Sequence, residues 1–127
     1  MNQKHTIQSA ALLGALAVVM GAFGAHAFKP MLISNGRLET YELAVRYQFY
    51  HVFSLLILGL LMRQVTSKKL ASAALFFIIG IIFFSGSLYV LSFTGIGMLG
   101  AVTPIGGVFF ILGWIFLWLG ANENLQQ

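Results

Sequence analysis

Glu39-Thr-Tyr-Glu-Leu-Ala-Val-Arg-Tyr-Gln-Phe-Tyr-His51 runs without a break into the apolar segment that ends near Met62, and that continuation decides the fold. The stretch holds two of the chain's three acids, one of its three arginines and one of its three histidines. Such a concentration of polar groups at the mouth of an apolar helix belongs at a membrane boundary. Outside it, the chain is apolar helix, small-residue packing surface and short connections.

Composition points the same way. The chain has 127 residues, 59% of them apolar, 8% charged, and no cysteine. A soluble domain carries about 25% charged residues, so this chain cannot cover itself with polar surface and its solvent is lipid. The net charge of +4 reflects a shortage of acids and not a basic patch. Lys and Arg are scattered from Lys4 to Lys69, which argues against a nucleic-acid partner. Without cysteine there is no disulfide, no thiol chemistry and no cysteine-ligated metal.

Ile7 to Phe28 carries no formal charge and is long enough to span a bilayer. Lys4 ahead of a run ending in Ala25-His26-Ala27 also resembles a cleavable signal sequence, but the run is longer than the roughly 7–15 residues of a signal core. A retained first transmembrane helix is expected. Lys29-Pro30 stops it, Ser34-Asn35-Gly36 forms a turn with N-cap residues, and a second helix runs from about Arg37, its span covering 41–62. After the basic loop Arg63–Lys69, a third span covers 70–93. A glycine-rich link then leads to Thr103-Pro104, read as N-cap and first helical residue of a fourth span over 103–120. The expected architecture is all-α: one transmembrane domain over 1–127, a four-helix bundle.

Two glycine patterns mark packing seams. Ala10, Gly14, Ala17, Gly21 and Gly24 alternate four- and three-residue steps, and Gly106, Gly113 and Gly120 repeat every seven. Small residues in a stripe let helices approach closely in lipid, where packing replaces the hydrophobic effect as the driving force. No strand precedes these glycines, so a phosphate-binding loop does not fit.

Arg63, Lys68 and Lys69 place the second connection in the cytoplasm, and both termini with it. Trp114 and Trp118 then fall toward the inner interface, where an aromatic belt is expected. In this orientation the polar groups collect in the outer half: His26 on the first helix, Glu42, Arg46, Tyr47, Tyr50 and His51 on the second, Ser85, Tyr89 and Ser92 on the third, and Thr103 on the fourth. At 100° per residue, Glu39, Glu42, Arg46 and Tyr50 share one face of the second helix, with Tyr47 and His51 beside them. Tyr41, Val45, Val52 and Leu56 form the opposite, lipid-suited face. Glu42 stands four residues before Arg46, the favourable order for an ion pair. His26, Arg46 and His51 are expected within one contact shell.

Two roles fit such a cluster. It can lock the bundle, or form a pocket that opens to the outer leaflet and binds a headgroup, a small solute or a partner peptide. Two histidines without cysteine, aspartate or a close histidine pair do not make a metal site, and no cofactor is expected. No Ser–His–Asp set or paired carboxylates suggest catalysis. A transport path would need an ionisable track across the bilayer, which one chain lacks and an oligomer could build between subunits. Expected partners are membrane lipids and a second copy or another membrane protein.

Gly21-Ala-Phe-Gly-Ala-His-Ala-Phe-Lys29 resembles the Gly-Ala-Phe-Gly-Ala-His signature of domain-of-unknown-function family 423, small four-helix bacterial membrane proteins with transmembrane protein 256 as a eukaryotic relative. The opening stretch is similar to the family's second motif, with Tyr47-Gln48 followed by His51. Ser85-Gly-Ser-Leu-Tyr89 and Thr103-Pro-Ile-Gly-Gly107, followed by Gly113-Trp114, are similar to its third and fourth. The resemblance spans nearly the whole chain. It implies a four-helix fold in the bacterial inner membrane, places His26, Tyr47, Gln48, His51, Ser85 and Thr103 in family motifs, and supplies no established activity.

Overall fold

The computed structural model describes residues 1–124. Helix α1 (Gln3–Ala25) starts at Asn2, whose side-chain oxygen accepts the His5 amide at 2.8 Å and satisfies a free N–H of the first turn. It stops three residues before the expected end of the first span. Lys29-Pro30 does more than end it: Pro30 sits in the first turn of a six-residue helix, α2 (Lys29–Ser34), where its missing N–H costs nothing. Leu32 of this short helix is fully buried and plugs the end of the bundle. Gly36, at φ 66°, turns the chain into α3 (Leu38–Leu61), which begins without a side-chain cap at Arg37. Ser34 and Asn35 therefore close α2 and do not cap α3.

Helix α4 (Lys68–Thr94) opens on Ser67, which accepts the Lys69 amide, and closes on Gly95 in the left-handed conformation, φ 69°. The glycine-rich link contains a 3₁₀ turn over Gly97–Ala101, and α5 (Thr103–Asn124) completes the chain. Among the described residues, four helices are long and apolar enough to cross a membrane.

The extensive pairings run in chain order: α1 with α3, α3 with α4, α4 with α5. Helices α3 and α4 form the centre. Helices α1 and α5 flank them and turn Leu12, Val18, Val19, Val108, Ile111 and Ile115 outward. In lipid these exposed apolar faces are solvated, so what holds the helices is packing and hydrogen bonding.

The packing is large side chain onto glycine. Along the α1–α3 seam, Val52 lies over Gly14, Val45 over Gly21 and the Tyr41 ring over Gly24. Along α4–α5, the Phe84 backbone faces Gly106, the Phe77 ring Gly113 and Leu70 Gly120, while Phe110 of α5 fills the notch at Gly80 of α4. This geometry corrects the orientation expected for α3. Tyr41 and Val52, assigned to lipid, are 1% and 5% exposed because they are the knobs that fill the α1 notches.

The last helix also runs past the end of the expected fourth span. Helix α5 continues to Asn124, and Glu123 pairs with Lys69 at the start of α4. Both side chains are exposed, so the pair is worth at most about 1 kcal/mol. Lys69→Ala should shift unfolding by no more than that, and the shift should vanish at about 1 M salt. A loss that is larger and insensitive to salt would mean the contact is structural.

Candidate functional site

The buried face of α3 is a three-four ladder: Tyr41, Ala44, Gln48, His51, Leu55 and Leu58. Three rungs are polar, and each finds a partner on a neighbouring helix. The Tyr41 hydroxyl donates to the Met20 carbonyl of α1. The Gln48 amide donates to the Leu13 carbonyl of α1 at 2.9 Å and accepts from the Tyr89 hydroxyl of α4 at 2.6 Å, so one side chain ties three helices. Ser85 of α4 donates to the Ala44 carbonyl at 2.7 Å. On the α4–α5 side, the hydroxyls of Ser87 and Thr103 lie 2.7 Å apart.

His51 is the third polar rung. Its Nδ1 is 2.7 Å from the Tyr47 carbonyl, which can only accept, and its Nε2 is 3.2 Å from the Trp114 indole N–H, which can only donate. The pair of contacts fixes the tautomer with the proton on Nδ1. The ring stacks flat on Phe110 of α5, centroids 3.5 Å apart, and both nitrogens are occupied, which leaves no lone pair for a metal. The hydrogen bond from His51 to Tyr47 stays within α3 and joins no second helix. The Tyr47 ring lies against Phe84 instead, 4.6 Å between centroids. Trp114 is half-exposed, yet its N–H turns inward to His51, while Trp118 is 68% exposed.

Of the remaining candidates, Ser92 is buried and donates to the Leu88 carbonyl within α4, and the others face outward. His26 is exposed at the end of α1, and Glu42, Arg46 and Tyr50 are exposed on α3. Among the described residues no hydrogen bond, ion pair or ring contact joins His26, Arg46 and His51, so the expected single contact shell is corrected: His51 is buried, and His26 and Arg46 line different surface grooves. Glu42 and Arg46 likewise form no ion pair; among the described residues the only one is Lys69–Glu123. The physical reason is the cost of burial. A tyrosine, amide or neutral imidazole is satisfied by one or two carbonyls, whereas a guanidinium taken inside would need a counter-charge as well. Helix α3 therefore turns its charged stripe out and its neutral polar stripe in.

Gln48, Tyr41, Ser87 and Trp114 carry the internal bonds that were not singled out from the residues. The three-four spacing of 41, 44, 48, 51, 55 and 58 was the signal for the first two. Glu42 and Arg46 line a groove of about 230 Å³ between α1 and α3, floored by Gly21, Gly24 and Ala25 and walled by Tyr41 and Val45.

Among the described residues, four membrane-length helices with every buried polar side-chain atom partnered define a small polytopic integral membrane protein. The chain belongs to the protein family of unknown function DUF423, whose model matches residues 20–107. It is 46% identical over 110 residues to the UPF0382 membrane protein SH2409 of Staphylococcus haemolyticus, an alignment covering 84% of this chain and 88% of that one. To the UPF0382 membrane protein YwdK of Bacillus subtilis it is 40% identical over 111 residues, covering 87% and 89%. No solved structure matches the chain.

Proposed function

We propose that this is a non-enzymatic protein of the bacterial inner membrane, with both termini in the cytoplasm, whose groove between α1 and α3 binds a membrane component from the outer leaflet. One observation carries the proposal. No buried side-chain polar atom among the described residues lacks a partner, whereas Glu42 and Arg46 stand exposed and unpaired on a membrane-crossing helix. A charge within a membrane span is costly and ordinarily marks a function. The internal polar groups argue for a lock: they are bonded to one another and to helix carbonyls. The bonded polar groups and the charged pair are thus different side chains, although Tyr41 belongs to the lock and also walls the groove. An oligomeric channel is less well supported, because the exposed faces of α1 and α5 are apolar.

The test is to extract wild type and Arg46→Gln directly into polymer discs and identify what each retains by mass spectrometry. Wild type should keep a component that the variant loses while its helical content is unchanged. Identical retained components would count against a binding role. Because the chain has no cysteine, single cysteines at Asn35 and Thr66 report orientation. An impermeant maleimide should label the first in intact cells and not the second.

A further inference from the structure

We propose that the α1–α3 groove seats a phospholipid headgroup carrying both a phosphate and a primary ammonium, with Arg46 on the phosphate and Glu42 on the ammonium. This rests on the groove being a binding site and names its ligand. The groove offers one cation and one anion, and the two do not neutralise each other. A guanidinium presents forked donors suited to phosphate oxygens, and a carboxylate accepts from an ammonium N–H. A purely anionic headgroup would meet Arg46 but be repelled by Glu42. A choline headgroup has no N–H to give Glu42.

Depth agrees with this assignment. Glu42 is one turn nearer the α1–α3 connection than Arg46, about 6 Å along the axis. The site therefore orders ammonium outside and phosphate inside, as a lipid anchored from below would present them. Gly21 and Val45, packed together beside Arg46, give the groove an apolar wall at the level of the phosphate. At about 230 Å³ the groove is smaller than the roughly 300–1,000 Å³ of enclosed small-molecule sites. That size fits a headgroup at a boundary better than a whole solute.

The experiment is native mass spectrometry of the detergent-solubilised protein with phosphatidylethanolamine, phosphatidylcholine and phosphatidylglycerol added at equal concentration. Phosphatidylethanolamine should be retained above both others. Glu42→Gln should lower its affinity about tenfold, the effect of losing one charge-assisted hydrogen bond, and erase its advantage over phosphatidylcholine. Arg46→Gln should weaken all three. Both residues are exposed, and circular dichroism checks that the variants fold. Equal retention of phosphatidylethanolamine and phosphatidylcholine, or preference for phosphatidylglycerol, overturns the headgroup assignment; the groove survives as a site if Arg46→Gln still reduces binding. If no lipid depends on Arg46, both fail. A polypeptide cross-linked to the groove in place of lipid overturns the headgroup assignment and keeps the site.

Discussion

Gly106→Ala should destabilise the protein while Gly107→Ala, one residue along the same helix, should leave it unchanged or firmer. Both substitutions gain the same helix propensity, about 1 kcal/mol. Their surroundings differ completely. A Cβ on Gly106 would fall within 3 Å of the backbone nitrogen, Cα and Cβ of Phe84, whereas a Cβ on Gly107 meets nothing within 4 Å. Phe84 cannot yield by rotating a side chain, because the obstruction is its backbone. Helix α5 must move away from α4, and the Ser87–Thr103 hydrogen bond at that end is strained with it. Overpacking of this kind costs about 1–3 kcal/mol, so the two variants should separate by roughly that amount when unfolded in mixed micelles. Gly106→Leu should go further and break the α4–α5 pairing. Equal stabilities for the two alanine variants would mean that the seam is looser than the structure has it.

Much of this fold was legible in the sequence because lipid leaves few choices. Backbone groups with no water to bond must be satisfied within the segment, so long uncharged runs could only be helices. The glycine spacings stood out for a similar reason: where hydrophobicity is everywhere, only small size distinguishes a contact face. The rotation of α3 was harder to read. Hydrophobic contrast normally shows which face turns inward, but both faces of this helix carry polar residues. Charge drew attention to Glu42 and Arg46 and set His51 beside them, whereas Tyr41 was assigned to lipid and Gln48 stood out only through the family motif. Helix α2 was hidden because Lys29-Pro30 serves as stop and start at once. The pairing of Trp114 with His51 links residues 63 apart in sequence and had no local signature.

The rotation of α3 gives the most discriminating prediction. If the charged stripe were the lock, Arg46→Gln would cost more stability than Gln48→Leu. The structure requires the reverse. Arg46 is exposed and its side chain makes no bond among the described residues, so its replacement should change unfolding by under about 0.5 kcal/mol. Gln48 is 3% exposed and joins α1, α3 and α4. Interhelical hydrogen bonds in membranes average only about 0.6 kcal/mol, which would make even this loss small if nothing were left behind. But leucine at 48 strands the Tyr89 hydroxyl without an acceptor, and an orphaned buried donor costs about 1–3 kcal/mol. The Leu13 carbonyl matters less, because it lies within α1 and the helix ladder serves it. Gln48→Leu should therefore cost about 1–3 kcal/mol, and adding Tyr89→Phe should restore part of the loss by removing the stranded group. The signature is non-additivity: the double variant more stable than the sum of the singles predicts. Additive losses would place Tyr89 and Gln48 in separate environments. An Arg46→Gln loss larger than that of Gln48→Leu would turn α3 back to the orientation its charges first suggest.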